Sequence, residues 1–315
     1  MTAVANDLWR PTSGCGEQCL PAAGETPGVP VLRQVGRLLS GVGMLLLGAA
    51  LAAVLPVLPY REVQAAVRAW ARGTARAFGV RLVVRGRPPR RRSLLVANHM
   101  SWFDILVVLA AAPSRMVAKR EVRSWPLIGL LAAAAGTLFV DRSRPRELPV
   151  AVRRVAEALR RGRAVAVFPE GTTWCAGDGA VDCRPGSGFR PAMFQAAIDA
   201  GAPIVPLRIV YRSAVTGAGT TAAAFLGEES LLRSVRRVVA ARGLEVTVTV
   251  AAALHPGGDA DRRLLARAAE SAVHLVPAVA VRARRNGGLV PGTPPPDAVM
   301  GRPNRTGAGG LDLAA

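Results

Sequence analysis

In the stretch Val96-Ala-Asn-His-Met-Ser-Trp-Phe-Asp104, a histidine stands five residues before an aspartate. Imidazole titrates near neutral pH. A carboxylate on one ring nitrogen fixes the tautomer and leaves the other nitrogen able to take a proton. His99 and Asp104 are therefore candidates for a general base and the group that orients it. Asp104 has a competing reading: Ser101-Trp-Phe-Asp104 has the S-x-x-D spacing of a helix capping box, a purely structural task. Three other stretches end apolar runs with polar chemistry or a break. Gly136-Thr-Leu-Phe-Val-Asp-Arg142 closes on a charge pair. Phe168-Pro-Glu-Gly-Thr-Thr173 closes on a carboxylate and a glycine turn. Ile204-Val-Pro206 is interrupted by proline.

The elements that must position these residues alternate. Apolar runs at 80–85, 93–97, 137–141, 164–168, 204–211 and 244–252 predict strands. Helical spacing predicts helices at 101–112, 127–135, 147–161, 191–200, 229–242 and 259–273. The fold class expected is α/β, a mixed and mostly covered sheet flanked by helices, occupying residues 80–286. Asn98 and His99 then leave the carboxyl end of a buried strand and Ser101 begins a helix, a position where α/β folds place ligands.

The 315-residue chain carries a net charge of +20, and Lys119 is its only lysine among 41 basic residues. Such a balance implies anionic partners: lipid, phosphorylated substrate, acidic protein or nucleic acid. Nucleic acid is disfavoured, because aromatics are only 4% of the chain and no recognition module is present. Residues 38–58 form an uncharged run of 21, long enough to cross a bilayer and too late in the chain for a usual signal peptide. Ten arginines follow within 61–92. The positive-inside rule places that side in the cytoplasm, at the cell membrane, with the preceding arm across the bilayer. Gly41, Gly43, Gly48 and Pro56 leave an in-plane anchor or a buried hairpin as the alternative. The expected organisation is a disordered arm at 1–36, a membrane segment at 37–60, a basic amphipathic helix at 61–79, the α/β domain, and a disordered tail at 287–315. Arg68, Arg72 and Arg76 either face anionic headgroups or form the solvated face of a helix packed on the domain.

Four cysteines are too few for a disulfide framework at this length. Cys15 and Cys19 supply two ligands, short of a metal site; Cys175 and Cys183 flank one loop, as a local disulfide or as two free thiols. No cofactor loop and no metal site are implied, and His255 and His274 take no role. No Gly-x-Ser-x-Gly elbow is present, which argues against a serine hydrolase.

Taken in order, the four stretches resemble the glycerolipid acyltransferase family, best known for the 1-acyl-glycerol-3-phosphate acyltransferases. Asn98, His99 and Asp104, with Ser101, match its Asn-His-x4-Asp motif. Gly136 to Arg142, Phe168 to Thr172, and Val205-Pro206 match its other three, and Lys119 and Glu121 match a Lys-x-Glu before the second. The resemblance covers roughly residues 80–255. It implies acyl transfer from an acyl thioester (acyl-CoA or acyl carrier protein) to the free hydroxyl of a lyso-lipid at an anionic membrane surface, without a cofactor. It implies His99 and Asp104 as catalytic, and Asn98, Ser101, Lys119, Gly136, Arg142, Glu170, Gly171, Thr172 and Arg190 as substrate-binding. Two departures stand out: Thr173 replaces an Arg common in phosphate-using members, and Phe189-Arg190-Pro191 replaces a Phe-Lys-x-Gly stretch. Lysophosphatidate is the first acceptor implied and a lyso-ornithine lipid the second. A non-catalytic membrane scaffold is the reading outside the enzyme class.

Overall fold

The structure is a computed structural model and describes residues 11–22, 24–89, 92–175 and 188–275. Seven strands form one sheet in the order β1-β7-β6-β2-β5-β3-β4. They are β1 (Arg81–Arg85), β2 (Leu94–Ala97), β3 (Arg115–Lys119), β4 (Leu138–Val140), β5 (Val165–Val167), β6 (Ile204–Ser213) and β7 (Leu244–Val250). The five strands β6, β2, β5, β3 and β4 run parallel; β7 turns back against β6, and β1 runs with β7.

The side chains of β2 show why the sheet is covered on both faces. Successive strand residues point to opposite sides. Leu95 and Ala97 enter one core with Phe103, Val107, Ala71 and Val238; Leu94 and Val96 enter another with Val155, Leu159, Phe194 and Val273. The helices supplying those residues are α2 (Tyr60–Ala77), α3 (Phe103–Ala111) and α7 (Leu231–Ala240) on the first face, and α5 (Leu148–Arg160), α6 (Ala192–Ala200) and α8 (Arg262–Leu275) on the second. All four residues of β2 are buried, as a central parallel strand requires. The expected mixed, covered α/β sheet is what forms. Strand β3 is the element missed: Arg115 and Lys119 close both ends of a five-residue strand and only Met116 is buried, so it carries no apolar run.

Before the domain, α1 (Val31–Val54) and α2 make an antiparallel hairpin. Pro56 and Pro59 lie in its turn and stop helix continuation. Contacts run in opposite directions along the two helices. Gly41 abuts Phe78, Met44 abuts Gly73, and the Trp70 indole N–H reaches the Met44 carbonyl at 2.8 Å. Small residues here are required, since a Cβ on Gly48 would stand 2.9 Å from Trp70.

One expectation for this region is corrected. The arm is not a free segment: from Pro11 it lies on the domain. The Val29 N–H bonds Ala240 O at 2.9 Å, the Arg242 N–H bonds Pro27 O at 2.7 Å, and Arg37 reaches Val239 O and Ala241 O. Helix α1 is long and apolar enough to cross a membrane, and Arg37 near its start is also held by the domain. The basic helix is likewise a packed element: Ala71, Thr74 and Ala75 are buried, and Arg72 bonds the Ala110 carbonyl while its face stays exposed. Residues 1–10 of the arm and the tail at 287–315 lie outside the described residues.

Candidate active site

The parallel strands deliver the motif residues to one edge of the sheet. His99 follows β2, Glu170 follows β5, Lys119 ends β3, and Arg142 follows β4. These strands are neighbours in the order β2-β5-β3-β4. At about 4.8 Å per strand, the His99 and Arg142 positions stand roughly 14 Å apart across the edge.

His99 is fixed from four sides. Its Nδ1 lies 3.0 Å from Asp104 Oδ2. Its ring stacks on Phe168 at 3.9 Å between centroids and 9° between planes. Its backbone N–H donates to Glu170 Oε2 at 2.7 Å, and its carbonyl accepts from the Trp174 N–H at 2.8 Å. With Nδ1 donating to the carboxylate, Nε2 carries the lone pair on the outer edge of the ring. The imidazole keeps 18% of its exposure, against 0% for Asp104, so the base is reachable and its partner is not.

Four donors converge on the Asp104 carboxylate. Oδ2 also accepts the N–H groups of Met100 at 2.7 Å and Ser101 at 2.8 Å, and Oδ1 accepts the Tyr211 hydroxyl at 2.5 Å. This number matches the acceptor capacity of a carboxylate. Burial raises the Tyr211 pKa well above the ordinary range, and the adjacent Asp104 adds to it, so the phenol keeps its proton and donates. Both readings of Asp104 therefore hold: one oxygen closes the turn before α3 and orients the imidazole together.

Asn98 and Ser101 reach this corner, but their polar atoms serve the protein. The Asn98 amide donates to Ile209 O at 2.9 Å and accepts from the Ile209 N–H at 2.8 Å, extending the β2–β6 ladder. Ser101 Oγ, wholly buried, accepts from the Phe103 N–H at 3.1 Å. Each holds the loop instead of facing a ligand. Gly136 is in the wrong place for a ligand: it precedes β4, at the opposite edge of the sheet, with its φ of +74° in the turn after α4 (Ile128–Ala134), beside Arg115.

Glu170 is buried at 3% exposure. Burial raises its pKa to about 8; the His99 N–H pulls the other way, and Asp104 and Glu270 push it up further. Near neutral pH it is a carboxylic acid that braces the His99 backbone. Gly171 turns with φ +78°, and its carbonyl accepts from Arg142 Nη1. Burial lowers the Arg142 pKa, Glu121 opposes that, and Arg190 adds to it. These three side chains therefore share one neighbourhood at the edge. Asp141 takes no part in it; it pairs with Arg120 at 3.0 Å and with Arg144. Among the described residues no ion pair joins Arg142 to Glu170 or Asp141. Thr172 is half-buried and Lys119 exposed on the same edge. Thr173 Oγ1 donates to Phe225 O at 2.5 Å, tying the motif to the loop whose Phe225 N–H bonds Met100 O.

Sequence reasoning missed Tyr211. A signal existed: Leu207, Ile209 and Tyr211 alternate onto one face of β6, and the chain has only two tyrosines. A phenol at the end of such a buried face needs an acceptor.

Comparison with known proteins gives consistent relatives. A family profile described as Acyltransferase matches residues 81–210. A lyso-ornithine lipid O-acyltransferase of Pseudomonas aeruginosa is 35% identical over 241 residues, covering 74% of this chain and 89% of the relative. A 1-acyl-sn-glycerol-3-phosphate acyltransferase of Neisseria gonorrhoeae is 33% identical over 214 residues, covering 67% of this chain and 80% of the relative. The crystal structure of the 1-acyl-sn-glycerophosphate acyltransferase PlsC from Thermotoga maritima superposes with a TM-score of 0.58 at 21% identity. It covers 77% of this chain and 92% of that one, a likeness of fold.

Proposed function

The chain belongs to the glycerolipid acyltransferase family and is an O-acyltransferase, and we propose that His99 is its general base. The observation that carries the assignment is the four-donor cradle of Asp104, which aims one oxygen at His99 Nδ1. His99 Nε2 takes the proton from the acceptor hydroxyl as that oxygen attacks the thioester carbonyl. The C–O bond forms, the C–S bond breaks, and the imidazolium returns the proton to the departing thiolate. Asp104 stabilises the imidazolium in between, and no acyl-enzyme is required. Acyl-CoA and acyl carrier protein are both acidic and both suit a chain of net charge +20.

The acceptor head group lies along the edge toward β4, against Arg142, Arg190 and Lys119. A cluster of cations suits a phosphate, which makes 1-acyl-glycerol-3-phosphate the first acceptor and phosphatidate the product. One observation favours a second acceptor. Thr173, standing where phosphate-using members often carry Arg, spends its hydroxyl on Phe225. The relative from Pseudomonas aeruginosa, named for lyso-ornithine lipid, points the same way. Offered both lyso-lipids with a labelled acyl thioester, the enzyme forms phosphatidate under the first reading and acylated ornithine lipid alone under the second. Product from neither would remove both.

The hairpin supports a location. Val35, Leu39, Val42 and Leu46 fall on one exposed face of α1 at spacings of three and four. That face enters one leaflet while the arm and the domain stay on the same side. The arginine-rich edge of α2 then meets anionic headgroups on the cytoplasmic side.

A further inference from the structure

The arm and the active-site loop meet at three sulfurs. Cys15 and Cys19 bracket one turn of 3₁₀ helix (Glu17–Cys19), closed by the Cys19 N–H on Gly16 O at 3.0 Å. Cys175 comes from the other side of the molecule in sequence, two residues after Thr173. The three Sγ atoms lie within 4.8 Å of one another, and Cys15 and Cys175 are buried. The Cys175 N–H donates to Cys15 Sγ at 3.4 Å.

We propose that Cys15, Cys19 and Cys175 bind a zinc ion that clamps the N-terminal arm to the active-site loop. The Cys-x3-Cys spacing on a tight turn, joined by a distant cysteine, supplies three of the four ligands of a structural zinc site. A tetrahedral thiolate site with Zn–S of about 2.3 Å needs sulfurs roughly 3.8 Å apart, a contraction of about 1 Å from the observed limit. A disulfide uses two sulfurs and leaves the third unexplained in the same cluster. Soft thiolates select zinc over magnesium or calcium. Binding replaces three thiol protons, released to solvent, and gives a zinc–tris-thiolate of charge −1 that a strongly basic chain tolerates. The fourth ligand position is outside this triad. Cys183 lies outside the described residues.

The position gives the clamp a task. Cys175 adjoins Trp174, whose N–H holds the His99 carbonyl, and Pro11 of the arm lies against Gly171. Zinc would fix the segment that braces the catalytic loop from behind.

The test uses the full-length chain in detergent, purified under reducing conditions. Elemental analysis is expected to find about one zinc per chain, and Co²⁺ added to the zinc-stripped chain is expected to give sulfur-to-cobalt charge-transfer absorption with tetrahedral visible bands. Cys19→Ser, at the most exposed of the three positions, should lose most of the zinc and the charge-transfer band while keeping the wild-type circular dichroism spectrum. Three results overturn the proposal. One is no charge-transfer band from the wild-type chain at excess Co²⁺. Another is a band unchanged in Cys19→Ser. The third is a disulfide joining any two of the three cysteines in peptides mapped without reductant.

Discussion

At the residue scale the account rests on groups that hold other groups. Tyr211→Phe removes one of four donors from a buried carboxylate. It should cost about 1.5–3 kcal/mol of stability and lower kcat more than KM, because it acts through Asp104. Thermal unfolding and steady-state kinetics read both; an unchanged kcat would place Tyr211 outside the catalytic corner. Glu170 makes a pH prediction. Its folded pKa of about 8 lies above the ordinary carboxyl value, so the folded state holds a proton that the unfolded chain has already released. Its contribution is therefore fully present below about pH 4.5 and is lost progressively as pH rises to about 8. Glu170→Gln keeps an acceptor for the His99 N–H and removes the titration. The variant should gain stability over wild type as pH rises through that window. Parallel stability curves for the two proteins between pH 5 and about 8 would contradict this.

At the element scale, strand ends and turns decide which motif residues matter. Gly136 stands before β4 with a positive φ, so its role is conformational. Gly136→Ala should cost about 1–2 kcal/mol of stability and leave the KM for the acceptor unchanged. A raised KM at full occupancy of the folded state would return Gly136 to the ligand. The same scale shows what the sequence makes legible. The continuous apolar run at Leu94–Ala97 and its counterparts announce the buried strands, and the His99–Asp104 spacing announces the dyad. Strand β3 was hidden because Arg115 and Lys119 break its pattern, and its pairing with β5 and β4 comes from neighbours distant in sequence. The resemblance implies Asn98 and Ser101 as ligand groups, and a motif match does not disclose which way a side chain points. Only the fold turns the Asn98 amide onto Ile209.

At the scale of the whole molecule, the apolar hairpin and the basic α/β domain act as one body. An uncharged run of 21 residues is ambiguous between spanning and lying flat. The contacts of Val29, Arg37 and Arg242 tie the start of that run to the domain, and none of those contacts is local in sequence. Leu39→Asp with Leu46→Asp places charge on the exposed face of α1 without entering the core. The double variant should leave anionic vesicles in a sedimentation assay while keeping a wild-type melting temperature. Full retention on the vesicles would remove α1 from the membrane contact.

The central claim is that His99, aimed by Asp104, takes the acceptor's proton. The most direct measurement is the single-turnover rate of acyl transfer in His99→Ala beside the wild type, with the acceptor saturating. The account predicts a fall of roughly 10²–10⁴-fold with the fold intact by thermal unfolding. A rate within a few-fold of wild type would show that some other group takes the proton.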